Sequence, residues 1–282
     1  MARIVDGHVH LWPYPPRPGE TPAQPPGFPF PDDLDGRAET LLAEMERHDI
    51  ARAIVVQSPW WPHDDRYLLE SAAAYPGKFT PVACLPLILR EADPAAEAHR
   101  VGMNGMQGVR VHVTGPDAIS ILAGDSLDPI YRALSASGLP ILMLSRDGRA
   151  HDLYAGVAER FPDLKIVVEH MGFTVTAPFG GTPETADNFM RLARLPNIHV
   201  KLAVHHQHTQ EAYPWRDLHA LQHCFIAEFG ARRLLWGSNW PMRPDEVSFA
   251  ERIEVLSKHF DFPTEDDRAW VMGGTAESLW PL

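Results

Sequence analysis

The sequence predicts a single-domain α/β fold, a (β/α)8 TIM barrel, and three observations carry that reading. Eight short apolar runs rich in Val, Ile and Leu alternate with longer stretches of helical periodicity from one end of the chain to the other, the pattern of strand–helix units around a parallel sheet. The chain has 282 residues, 45% of them hydrophobic, which suits one sizeable core better than two small ones. Its polar residues gather where the apolar runs end, spread over many of them. A doubly wound open sheet fits less well, because the first turn lacks a GxGxxG loop.

In order, the strand candidates are RIVDGHVH (3–10), RAIVVQS (52–58), FTPVACLP (79–86), GVRVHV (108–113), PILMLS (140–145), LKIVVEH (164–170), IHVKLAV (198–204) and RLLWGSN (233–239). Between them lie helical patterns such as TLLAEMERHDI, DRYLLESAAAYP, DPIYRALSAS, LYAGVAERFP, NFMRLARLP and WRDLHALQHCFIAEFG, and SFAERIEVLSKHF with a helix near DDRAWVM follows the last strand. Eight such pairs in this length make one barrel domain over residues 1–282. The segment 13–31 interrupts the rhythm with nine prolines in 19 residues, so it can be neither helix nor interior strand. As the loop after the first strand it is expected over the C-terminal, active-site face, stiffened by its prolines into a wall or lid.

Composition narrows the partners. There are 25 basic and 37 acidic residues, a formal charge of −12, and no Lys/Arg cluster that could follow a phosphate backbone, so nucleic acid is not expected. No apolar run approaches the ~20 residues of a membrane span, and the chain starts without a basic and apolar leader. Both cysteines, Cys84 and Cys224, fall in apolar runs as small core residues of a reducing compartment. The expectation is a cytoplasmic protein acting on a small molecule, with no nucleic acid or membrane partner and with a homo-oligomer left open.

The strand ends supply the chemistry. In DGHVH, His8 and His10 are two residues apart, so the strand period turns both imidazoles to the barrel interior; they could share a metal or grip one substrate oxygen, or be two structural histidines. His170 closes VVEHMG and would make a third imidazole at the mouth, while alternation sends its neighbour Glu169 outward to the helices. In GVRVHV, Arg110 and His112 share a face, and an interior Arg needs an anion: a substrate carboxylate or a protein acid such as Asp6. After the seventh strand come His205, His206 and His208, with Lys201 inside the strand. Trp60 and Trp61, Arg146, His205 and Arg243 belong to loops expected to rim the pocket and to bear on specificity. The eighth strand ends in Ser238-Asn239, a neutral amide where a catalytic carboxylate could stand.

With HxH ending the first strand, VVEHMG the sixth and LLWGSNWP the eighth, the chain resembles the amidohydrolase superfamily, in its amidohydrolase-2 branch. MQGVRVHV, PNIHVKLAV and the final GGTAESLWPL fall in the same order, and the likeness is strongest to lactonase-type members similar to 2-pyrone-4,6-dicarboxylate lactonase and the sugar-lactone hydrolases. The resemblance implies a (β/α)8 barrel that uses water to open a small carboxylate-bearing lactone or a related ester or amide. It implies a pocket of His8, His10, Arg110, His170 and the residue at 239. Metal-dependent relatives add a His from the fifth strand and an Asp from the eighth; here those places hold Ser145 and Asn239. One divalent ion such as zinc, held by His8, His10 and His170, and metal-free catalysis both stay open. In the hydrolytic scheme His8 and His10 polarise the carbonyl, Arg110 holds a carboxylate, neutral His170 takes the proton from water and Asn239 orients that water. A metal-assisted decarboxylase or a lactone isomerase also resembles this branch, and a barrel that binds a ligand without turnover is a third reading.

Overall fold

The computed structural model describes residues 3–23, 30–61, 64–86, 105–113, 116–173, 183–203, 205–209, 211–242 and 247–281. Its eight strands are β1 (Ile4–Val9), β2 (Ile50–Val56), β3 (Phe79–Pro86), β4 (Val109–Val113), β5 (Ile141–Ser145), β6 (Ile166–Val168), β7 (Ile198–Leu202) and β8 (Leu234–Trp236). They form one sheet in the order β1 to β8, every neighbouring pair parallel. A parallel bridge between Val9 and Trp240 brings the two ends of the sheet together, with the His10 N–H donating to the Trp240 carbonyl at 2.7 Å. The result is a nearly closed (β/α)8 barrel rather than an open doubly wound sheet.

The helices are α1 (Ala38–Arg47), α2 (Arg66–Ala74), α3 (Pro116–Ala123), α4 (Asp128–Ser137), α5 (Arg149–Arg160), α6 (Pro183–Met190), α7 (His219–Phe229), α8 (Phe249–Ser257), α9 (Glu265–Ala269) and α10 (Thr275–Leu279). Strand alternation sorts the apolar side chains into two layers. Val109, Val111, Ile141, Met143, Ile166, Val168, Ile198 and Val200 face outward and pack with Leu41, Tyr154, Val157 and Phe225 of the helices. Ile54, Val56, Val82, Leu142, Val167 and Leu235 fill the barrel, and Ala276, Leu279 and Trp280 close its floor. Fully burying each of these side chains contributes roughly 1.5–3 kcal/mol. The mouth, at the strands' C-terminal ends, is where the filling turns polar. Among the described residues no helix is long and apolar enough to cross a membrane.

Two strands stop earlier than their apolar runs suggest. β6 ends at Val168 because His170, Met171 and Gly172 all take left-handed backbone conformations, with φ of 53°, 52° and 67°, which no strand accommodates. β8 ends at Trp236, and the chain then passes through Gly237 and Ser238 to Asn239 at φ 59°.

Candidate active site

The site is built first by the close approach of β1 and β8. A Cβ on Gly7 would stand 2.5 Å from the Trp236 carbonyl oxygen, and one on Gly237 would stand 2.7 Å from the His8 Cβ, so only glycine lets the two chains meet here. Asp6, wholly buried, stitches the seam: its Oδ1 accepts from the Ser238 N–H at 2.9 Å and the His8 N–H at 3.1 Å. Burial lifts its carboxyl to about 6, although the Ser238 and His8 hydrogen bonds pull the other way. The Asn239 N–H donates to the His8 carbonyl at 2.8 Å. His8 and His10 therefore project into the barrel as their spacing predicts, with Nε2 atoms 3.1 Å apart and ring centroids 4.8 Å apart. The His10 Nδ1 donates to the Val56 carbonyl at 2.8 Å.

The end of β6 departs from the sequence expectation in an informative way. Val167 lies inside the barrel, so two-residue alternation brings Glu169 inside as well, not out to the helices. His170 would then face outward, but its left-handed φ turns the ring back over the mouth, 4.7 Å from the His8 ring between centroids. Positive φ in a non-glycine residue costs on the order of 1 kcal/mol. The turn is held by the Gly172 N–H on the Glu169 carbonyl at 2.9 Å and by His151 Nε2 donating to the Gly172 carbonyl at 2.8 Å.

Glu169 is the hub beneath the histidines. Its Oε2 accepts from Arg110 Nε at 2.8 Å, and its Oε1 accepts from Lys201 Nζ at 3.1 Å. The same Oε1 is 3.0 Å from His8 Nδ1, and Lys201 Nζ is itself 3.0 Å from that nitrogen. The protein acid that meets Arg110 is thus Glu169, not Asp6. Burial alone would raise the Glu169 carboxyl, but Arg110, Lys201 and His8 together hold it well below the usual carboxylate range. Burial brings Lys201 down to about 8 against the pull of Glu169. Burial, reinforced by Lys201, lowers His8 to about 4; His10 and His170 are pushed well below their ordinary value by burial and then by His8. Three neutral imidazoles thus face the mouth above a box holding two cations and one carboxylate.

The other expected residues spread around this centre. His112 is buried on the Arg110 face of β4, and burial followed by Arg110 lowers it to about 3. Trp60 sits in a cluster with Trp12, Trp61 and Leu34, against which Tyr14, Phe30 and Met242 pack. Arg146 bonds Gln207 Oε1 at 2.9 Å, tying the loop after β5 to the loop after β7. His205 is buried there and stacks on Trp215, with centroids 6.2 Å apart. Asn239 is half-buried at the rim, and Arg243 lies outside the described residues. The described part of the proline-rich segment is anchored rather than loose: the Ala23 N–H donates to the Trp60 carbonyl at 2.7 Å, Arg17 pairs with Glu70, and Arg66 reaches Glu20 at 3.2 Å.

Sequence reasoning missed the roles of Glu169 and Lys201. The signal for both was strand register. Val168 pairs with Val200, so the next residues inward, Glu169 and Lys201, stand side by side, and a Lys between two outward-facing apolar residues needs an interior acid.

His8, Glu169 and His170 each bring a ligand atom within 4.8 Å of the others. Two imidazoles and a carboxylate suit a borderline divalent ion, and the neutral state of the histidines leaves lone pairs to offer. The residues present fit a metal: Glu169 adds a carboxylate beside the imidazoles of His8, His10 and His170 to which the sequence pointed.

The amidohydrolase family model matches residues 5–282. The chain belongs to the amidohydrolase family. Among its relatives, the L-fucono-1,5-lactonase of Burkholderia ambifaria is 31% identical over 98% of this chain and 94% of its own length. An amidohydrolase of Burkholderia multivorans with bound zinc superposes with a TM-score of 0.80 at 20% identity, covering 100% of both chains. A Pseudomonas putida protein designated a 2-pyrone-4,6-dicarboxylic acid hydrolase gives a TM-score of 0.74 at 22% identity, covering 99% of this chain and 97% of that one. These two structural likenesses speak to the barrel alone.

Proposed function

We propose that this amidohydrolase opens a small lactone by attack of water on its carbonyl carbon. The observation that carries the reading is the convergence of three buried, neutral imidazoles, His8, His10 and His170, above a cation-rich ion-pair box. The 31% identity to a lactonase over nearly the whole chain supports the same substrate class. Lactone hydrolysis develops negative charge on the carbonyl oxygen and releases a carboxylate, and a pocket with Arg110 and Lys201 against Glu169 carries a surplus positive charge suited to both.

In this reading the substrate carbonyl oxygen takes over the His8 Nε2–H that faces His10 at rest, and Arg110, its Nε spent on Glu169, offers its terminal N–H groups to a substrate or product carboxylate. His170 is neutral and takes the proton from water, then returns it to the departing ring oxygen. Asn239, an amide, can orient the water but cannot deprotonate it. Trp60, His112, Arg146 and His205 shape the wall against which the ring is held. A divalent ion such as zinc, held by His8, His10 and His170 with Glu169 beside them, would polarise the same carbonyl as a Lewis acid when bound.

The test is acid release from aldono-1,5-lactones, followed with a pH indicator after subtraction of spontaneous hydrolysis. The reading expects saturable turnover that His170→Asn lowers by about 100-fold or more. A folded His170→Asn protein that keeps near-native turnover would remove the assignment of His170.

A further inference from the structure

We infer that Lys201 is a positioning residue that fixes the tautomer of His8 and, by doing so, holds down the affinity of this site for divalent ions. The argument starts at the far end of the hydrogen-bond chain. His10 Nδ1 faces the Val56 carbonyl at 2.8 Å, an acceptor only, so Nδ1 carries the proton and the neutral ring presents a lone pair at Nε2. His8 Nε2 lies 3.1 Å from that lone pair. Two lone pairs would repel at this distance, so His8 carries its proton on Nε2 and has its own lone pair on Nδ1. Facing Nδ1 at 3.0 Å is Lys201 Nζ, a donor, whose second N–H goes to Glu169 Oε1 at 3.1 Å. Every donor then points one way: Lys201 to His8, His8 to His10, His10 to Val56.

A second arrangement is built into the same atoms. Glu169 Oε1 is also 3.0 Å from His8 Nδ1, so moving the His8 proton from Nε2 to Nδ1 would give a hydrogen bond to the carboxylate and leave Nε2 as a bare lone pair. That second tautomer is the one that can offer Nε2 to an ion shared with the His10 Nε2 lone pair 3.1 Å away, with Glu169 behind the ring as an acceptor and not as a ligand. The two are mutually exclusive, because Nδ1 cannot accept from Lys201 and donate to Glu169 at once. Lys201 selects the first. It also adds a second buried cation beside Arg110, against which an incoming divalent ion must bind, and the neutral Asn239 supplies no charge to offset it. On this account the site works in its resting state as a hydrogen-bond donor, and Lys201 occupies the electrostatic place that a metal would otherwise fill.

The experiment uses the full chain stripped with chelator. Nitrogen-15 histidine spectra of the wild type report the His8 tautomer, the resonance being assigned by its loss in His8→Gln, and zinc titration by calorimetry compares wild type, Lys201→Met and Lys201→Arg. The expected results are Nε2–H in the wild type, a switch to Nδ1–H with zinc binding at least tenfold tighter in Lys201→Met, and zinc affinity within threefold of wild type in Lys201→Arg. Finding Nδ1–H on His8 in the stripped wild type would overturn the inference without any variant. So would a folded Lys201→Met protein that binds zinc no more tightly than wild type.

Discussion

Replacing Glu169 with Gln keeps the shape of the hub and removes its charge, which makes it the sharpest perturbation of the site's architecture. Glu169 is wholly buried and ties three strands together, through Arg110 of β4 at 2.8 Å, Lys201 of β7 at 3.1 Å and His8 of β1 at 3.0 Å. In the variant two buried cations face each other with no carboxylate between them. Removing one partner of such a buried pair costs about 3–5 kcal/mol. With an unfolding entropy near 2.1 cal/mol/K per residue, that corresponds to a fall in Tm of roughly 5–8 °C for a chain of this size. Urea unfolding at pH 7, with the thermal midpoint alongside, measures it. Adding Lys201→Met to Glu169→Gln should restore at least about 1 kcal/mol, since contacting charges couple by roughly 0.5–3 kcal/mol. A single variant within about 1 kcal/mol of wild type would refute the reasoning, because it would mean that the box is hydrated or uncharged.

Further consequences follow from neighbouring features. Asn239→Asp restores a carboxylate at the rim and should raise turnover or zinc affinity; no change in either would put position 239 outside the chemistry. Gly237→Ala pushes a methyl group to within 2.7 Å of His8 Cβ, so it should lower kcat and shift the thermal midpoint downward together. Burial lowers His112 to about 3, His199 to about 4 and His205 to about 3. These groups are neutral in the folded protein at a pH where the unfolded chain, titrating near 6.5, is already protonated. The unfolded state therefore binds more protons, and stability should fall as pH drops below about 6.5, each group contributing up to about 1.4 kcal/mol per pH unit. Calorimetric unfolding at pH 5.5 in buffers of different ionisation enthalpy should show an uptake of about two to three protons from these groups.

How much of this was legible beforehand depended on whether a physical period reached the residue in question. The eight strands and the inward His8 and His10 follow from two-residue alternation along β1 and from the repetition of strand and helix. Alternation counted back from an inward His170 sends Glu169 outward, because it crosses the left-handed turn at His170 that breaks the period. Counting from Val167 would have brought Glu169 inside, but nothing local in VVEHMG announces that His170 turns back. Lys201 could have been read as interior from its place between Val200 and Leu202; its partner emerges only when the registers of β6 and β7 are laid side by side. The anchoring of the proline-rich segment on Trp60, Glu70 and Arg66 rests on contacts distant in sequence, which no local pattern encodes.

The proposal that water attacks a lactone carbonyl is tested most directly by running the reaction in oxygen-18 water on a panel of aldono-1,5-lactones and weighing the acid formed. The account predicts a catalysed product carrying one heavy oxygen in its carboxylate, formed faster than the spontaneous background and lost in His170→Asn. Catalysed conversion without incorporated label, or a folded protein that turns over no lactone at all, would contradict it.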